Sequence, residues 1–487
     1  MKRKLIGTLF IIVFTFSSVF IATNTFSITQ NVRDDEISSN SLDSEENKEM
    51  ISESSNSWNF YAEIGRIYET KTSDGVIIRI LRYHAPGKNF NYGTQPILLF
   101  PGLMANINEY ISFTTPAVAS HYDVPSIPDA FLAEWAKGDK NIEEDSLLYF
   151  SLAYYLWSQG YDPWLANYRG VGYGPMKSGG MLPSVTMDDF AIYDIPAAVR
   201  KVYEITGQHP YIGGHSTGGF TSIIYLQGCK YDRNGGVYSS SSAVAERNGD
   251  REGPETVKGF IGLEHAWIPS ITDIMDNLLV WAILDMNTLT DMRSLAEILT
   301  AMQEMPTIGD LIRGLVDLML GALADEIESL MLNLMNMDIR NINKIWLYFF
   351  TAYVIDTLYY RAMAQYLDFD KYGIVREYWQ NGWFNNHISP PRPHRFDGYY
   401  YYSDEDNIRK FKVPAIFFFA SHQSASFDLV NRDLAIRDVA NRKSNRGNDV
   451  IYIINGAHID FCTGNRAPGD VFPKLGLWLE SLEGQPH

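Results

Sequence analysis

Ser216 lies in Gly-His-Ser-Thr-Gly, Gly214 to Gly218, and His458 opens the run His-Ile-Asp-Phe far downstream. A serine hydroxyl is a weak nucleophile until a base takes its proton, and that base needs an acid to fix its tautomer. Gly-x-Ser-x-Gly marks a sharp strand-to-helix turn that lifts a serine above the end of a sheet, with the acid and then the histidine following in chain order. Ser216 is therefore the expected nucleophile and His458 the expected base. Two residues compete for the acid: Asp428, 30 residues before His458, and Glu264, at the end of the apolar run Lys258 to Leu263. The alternative role for Glu264 is a polar residue at a sheet edge, with His265 beside it suggesting a local pair. Asp433 reads as a helix-face charge. The N–H of Thr217, next after the nucleophile, is one expected donor to a developing oxyanion. His215 is expected to pack beneath the turn. No His-Glu-x-x-His or similar spacing occurs, so neither a catalytic metal nor a cofactor is expected.

These groups need a rigid frame, and the chain supplies short apolar runs alternating with helical patterns. Tyr211-Ile212 leads into the serine turn, and Gly219 to Ile224 leads out with helical potential. Val76 to Tyr83, Pro96 to Phe100, Asp162 to Asn167, Val257 to Leu263, Val413 to Phe419 and Asp449 to Ile454 read as strands. Thr186-Met187-Asp188-Asp189 has capping-box form and predicts a helix through about Glu204. Buried strands separated by helices imply an α/β fold, a mostly parallel central sheet covered on both faces. The loop Arg169 to Gly174 is glycine-rich, but no helix opens directly after it, so it is not read as a phosphate cradle.

Composition limits the rivals. At 487 residues, 46% of them hydrophobic, the chain can bury a large core. A net charge of −18 leaves no basic stripe for phosphates, so nucleic acid is excluded as a partner. Arg33 to Glu53 holds eight acids and two bases and reads, within residues 31–57, as a disordered acidic linker. Before it, Lys2-Arg3-Lys4 and the uncharged run Leu5 to Ala22 make residues 1–30 an export signal or an N-terminal membrane anchor. An extracytoplasmic protein follows, secreted or anchored. The two cysteines, Cys229 and Cys462, are expected to be free and buried.

Longer runs carry a resemblance. Asp74-Gly75-Val76-Ile77, Pro101 to Asn106, Tyr161 to Gly170, Met187 to Ala198, the serine turn and His458 to Phe461 together resemble the acid lipase family of α/β hydrolases, the gastric and lysosomal type. The likeness runs from about Trp58 to the C-terminus and is weakest over residues 270–400. Pro101 stands where the family usually has His, and Thr217 where it usually has Gln. The resemblance implies an α/β-hydrolase domain over 58–487, with a helical cap inserted at about 268–400 above the serine. It assigns the second oxyanion donor to the Leu103 N–H. It favours Asp428 as the acid, since its distance from His458 is close to the family's. Nine of the 16 methionines fall between Met275 and Met337, among expected long helices such as Asp325 to Met337 and Lys344 to Tyr366. Methionine suits surfaces that accept varied apolar partners. The expected partner is a lipid or other apolar ester, met at a membrane or lipid interface, and the implied function is lipase action through an acyl-enzyme on Ser216. A carboxylesterase for shorter or non-glyceride esters, and a non-catalytic binding protein on the same fold, are the alternatives.

Overall fold

The structure, a computed structural model, describes residues 60–88, 93–264, 289–293, 338–342, 344–372, 375–378, 398–421 and 449–483. The N-terminal segment and acidic linker, Asp428, Asp433, His265, the Asp325 to Met337 stretch and most of the expected cap lie outside these residues. No described helix is long and apolar enough to cross a membrane.

Eight strands form the central sheet: β1 Gly65–Lys71, β2 Ile77–Tyr83, β3 Gln95–Phe100, β4 Tyr161–Ala166, β5 Tyr211–His215, β6 Gly259–Leu263, β7 Ala415–Ala420 and β8 Val450–Ile454. Their order is β1-β2-β4-β3-β5-β6-β7-β8. From β4 to β8 every pair is parallel, and β2 is antiparallel to both β1 and β4. The six strands expected from apolar runs are all present, as is the strand expected to lead into the serine turn, β5; β1 was not expected. Because β6 sits between β5 and β7, Glu264 stands at the end of an interior strand and not at a sheet edge.

The apolar runs have no polar alternation because both faces are covered. Ile97 and Leu99 point into one core with Leu165, Ile261 and Phe418, under helices α1 Leu152–Ser158 and α4 Phe472–Glu483. Their neighbours Leu98 and Phe100 point into the other with Trp164, Phe260 and Phe417, under α2 Ile195–Thr206 and α3 Thr217–Leu226. Each fully buried large apolar side chain contributes about 1.5–3 kcal/mol, so this two-sided burial fixes the sheet to which the site is attached.

The capping box forms as read: Thr186 Oγ1 accepts the Asp189 N–H at 3.3 Å, and Asp189 Oδ2 accepts the Thr186 N–H at 2.8 Å. The helix behind it is not uniform. A π turn at Phe190–Asp194 precedes α2, because Pro196 has no N–H to give to the carbonyl four residues back. Nor is Lys344 to Tyr366 one helix. Lys344–Phe349 passes into a π turn at Phe350–Val354, a strand at Thr357–Tyr359 pairs with Leu289–Asp291, and a new helix runs Tyr360–Tyr372. Asp356 causes the break. Its buried carboxylate accepts from Asn106 Nδ2 at 3.0 Å, the Gly172 N–H at 2.9 Å and the Thr357 N–H at 2.8 Å, while its own N–H donates to the Met104 carbonyl at 2.8 Å. This anchor ties Asp356 and its neighbours to the loop after β3.

Candidate active site

Strand β5 ends at His215 and α3 begins at Thr217, so the whole reversal falls on Ser216, which adopts φ 51° and ψ −115°. Left-handed backbone at a non-glycine residue costs energy and persists only where its surroundings enforce it. Here the Ser216 N–H donates to the Leu263 carbonyl at 3.0 Å, and its carbonyl accepts from Phe220 at 3.1 Å. The flanking glycines are required by contact. A Cβ on Gly214 would lie 2.0 Å from the Phe100 carbonyl oxygen, and one on Gly218 would lie 1.9 Å from the same atom. The Thr217 N–H, in the first turn of α3, belongs to the donors that a helix leaves unsatisfied.

Ser216 opens onto a cavity of about 390 Å³ that it shares with His458 and Leu103. The remaining wall is mostly apolar, with Met104, Trp346, Phe350 and Ile459 prominent. His458 sits on the turn between β8 and a short helix, Asp460–Thr463. Asp460 secures that turn, accepting the Ala457 N–H at 2.8 Å and Asn341 Nδ2 at 2.9 Å. Burial, and then the positive charge of His215, hold the His458 imidazole well below its ordinary pKa. It is thus neutral, as a proton acceptor must be.

His215 does more than pack beneath the turn. Its Nε2 donates to the His458 carbonyl at 2.9 Å, and its Nδ1 lies 3.3 Å from Glu109 Oε2. Glu109 also accepts the Gly102 N–H through Oε1 at 3.0 Å, so one carboxylate joins the loop after β3 to the serine turn. Burial alone would lower the His215 pKa, but the Glu109 carboxylate, helped by the His458 carbonyl and Glu264, raises the value. In the same loop Met104 has φ 63°, a second strained position beside the cavity.

Ser216, His458 and Leu103 are thus brought together, with Thr217 adjoining. Asp428 lies outside the described residues. Glu264, with φ 44°, is buried and its carboxylate accepts the Ala420 N–H, which ties the ends of β6 and β7. Two neighbours of the site escaped the sequence reading. Glu109 stands in a single 3₁₀ turn, Ile107–Tyr110, too short for periodicity to mark a buried acid. Tyr366, read only as the end of a cap helix, places its hydroxyl 2.8 Å from Thr217 Oγ1. Cys229 and Cys462 are both free and buried, as expected.

A family model described as Hydrolase_4, serine aminopeptidase S33, matches residues 142–305, less than half of the chain. Caenorhabditis elegans lipase lipl-1 is 40% identical over 83 residues, covering 16% of this chain and 20% of that protein. Rattus norvegicus gastric triacylglycerol lipase is 28% identical over 169 residues, 33% of each chain. Homo sapiens lipase member K is 38% identical over 82 residues, 16% of this chain and 20% of its own. The chain therefore spans about a fifth to a third of the length of the curated relatives it matches. Among solved structures, a soluble variant of monoglyceride lipase from Saccharomyces cerevisiae aligns with TM-score 0.43 and 13% identity over 86% of this chain and 96% of that one. Strand order, the serine turn and the shared sequence segments converge: the chain has the α/β-hydrolase fold and over part of its length is similar to the acid lipases.

Proposed function

We propose that the protein is a serine ester hydrolase, a lipase acting on lipid carboxylic esters such as acylglycerols. The observation that carries this reading is Ser216, held at positive φ on the serine turn and opening onto a largely apolar cavity shared with His458. His458 takes the proton from Ser216 Oγ as that oxygen attacks the ester carbonyl carbon. The Leu103 and Thr217 N–H groups receive the negative charge that develops on the carbonyl oxygen. The intermediate collapses to an acyl-enzyme, and protonated His458 gives its proton to the departing alcohol. Water, deprotonated by His458, then releases the fatty acid. Asp428 holds the imidazole in the working tautomer and stabilises its charged form. The apolar wall suits an acyl chain, which loses contact with water on entry. Residues 1–30 direct the chain out of the cytosol, which cell fractionation with and without the segment tests.

A series of p-nitrophenyl esters from short to long acyl chains tests the activity. Turnover that rises with chain length supports the lipase. Turnover confined to short chains gives the carboxylesterase reading instead, and none from a folded protein leaves a binding protein on a hydrolase fold.

A further inference from the structure

One side-chain cluster beside the serine is not used by the proposed reaction. Glu109, His215 and Cys462 are 4%, 6% and 2% exposed, and all three line the cavity. Each brings one ligand atom, and these atoms lie within 4.8 Å of one another. Carboxylate oxygen, imidazole nitrogen and thiolate sulfur together form a donor set for a borderline-soft divalent ion such as Zn²⁺.

The surroundings are those of a built site. A metal-bound histidine gives its other N–H to a carboxylate or backbone carbonyl, and His215 Nε2 already donates to the His458 carbonyl at 2.9 Å. That leaves Nδ1 as the ligand atom. The second oxygen of Glu109 is fixed by the Gly102 N–H at 3.0 Å, and Oε2, which faces His215 Nδ1, can turn to an ion once that nitrogen gives up its proton. Donors around tetrahedral zinc stand roughly 3.3–3.6 Å apart, from bond lengths of about 2.0–2.3 Å. His215 Nδ1 and Glu109 Oε2, at 3.3 Å, already match. Closing the sulfur by about 1 Å is within reach of a cysteine side-chain rotation. A fourth position would face the cavity, which is the entry path.

We propose that Glu109, His215 and Cys462 form an inhibitory site for a thiophilic divalent cation, coupled to the catalytic centre. On binding, the Cys462 thiol and His215 Nδ1 each release a proton to solvent, and sulfur, nitrogen and Glu109 oxygen donate their electron pairs to the ion. Burial, and then the charge of Glu109, hold the Cys462 thiol well above its ordinary pKa, but coordination removes that proton outright. Occupancy inhibits through position: the ion pulls on the two groups that hold Gly102 and the His458 main chain, while the two protons released offset its two charges.

The test uses the full chain, with Zn²⁺ and Co²⁺ as probes and Mg²⁺ as the hard-ion control. We expect one Zn²⁺ retained per chain in equilibrium dialysis, a thiolate-to-cobalt absorption band with Co²⁺, and a fall in kcat with little change in KM that chelation reverses. Mg²⁺ should do none of this. Cys462→Ala should remove the cobalt band and weaken Zn²⁺ at least about tenfold, and Glu109→Gln about 10–100-fold. No retained Zn²⁺, or equal Zn²⁺ affinity in wild type and Cys462→Ala, overturns the site. The dialysis and cobalt readouts need no turnover, so they stand or fall separately from the proposed hydrolase activity.

Discussion

Replacing Gly218 by alanine adds one methyl group at the closest approach in the site. That Cβ would stand 1.9 Å from the Phe100 carbonyl oxygen and 3.2 Å from the Pro101 carbonyl oxygen. Ordinary contact begins near 3.4 Å, so α3 and β3 must separate by about 1.5 Å. Phe100 cannot yield freely, because its carbonyl also accepts the Tyr110 hydroxyl at 2.6 Å. Alanine gains up to about 1 kcal/mol of helix propensity, against an overpacking cost of about 1–3 kcal/mol or more when the obstacle is backbone. Contact wins, and the strain falls on the chemistry. Moving the start of α3 shifts Ser216 Oγ and the Thr217 N–H away from the Leu103 loop. A 1 Å misplacement costs about 10²-fold, and loss of an oxyanion donor about 10²–10³-fold. We therefore expect Gly218→Ala to lower kcat on a p-nitrophenyl ester about 10²–10³-fold with KM little changed. The control is Gly207→Ala, past the end of α2 at φ 67° with nothing within 4 Å of its Cβ. It should cost about 1 kcal/mol of stability through backbone strain alone and leave kcat unaltered. A Gly218→Ala enzyme within threefold of the wild-type kcat would refute the claim that this contact sets the alignment.

Asp428→Asn should lose about 10⁴ in kcat while Glu264→Gln loses little, both at wild-type melting temperature; the reverse pattern would reassign the acid to Glu264. Burial pushes the Asp460 carboxyl up to about 6, whereas in the unfolded chain it titrates near 4. The folded state then holds the extra proton between those values, so this group's contribution to stability falls as pH rises from about 4 to 6. Asp460→Asn should flatten the stability–pH slope there by up to about 1.4 kcal/mol per pH unit in denaturant titrations, and an unchanged slope would count against the assignment. Exhaustive chelation should leave hydrolysis intact or raise it; turnover lost to EDTA and restored by a divalent ion would mean that metal takes part in the reaction.

What was legible in the sequence was whatever a strand or a short motif encodes locally. Val413 to Phe419 is apolar throughout because β7 is buried on both faces, and its neighbours are recognised in the same way. The serine turn was readable because glycine at 214 and 218 is forced by one carbonyl, that of Phe100, and Ser216 by the reversal itself. Thr186 to Asp189 announced a helix start because the cap is made within four residues. Long-range partners were not readable. Glu109 reaches His215 across 106 residues, and Tyr366 reaches Thr217 across 149. Asp356 broke a helix that periodicity alone would have continued, because its three donors come partly from loops far away in sequence. The edge strand β1, half-exposed and rich in charged residues, offered no apolar run to find.

The central claim is that Ser216 is the nucleophile, and covalent trapping tests it most directly. Wild-type protein treated with a serine-reactive alkyl phosphonate should gain one adduct by intact mass. Peptide mapping should place that adduct on Ser216, with esterase activity lost in proportion to labelling. Ser216→Ala should melt as the wild type does, take up no label and show no turnover. Label on another residue, or hydrolysis that survives in folded Ser216→Ala, would contradict the account.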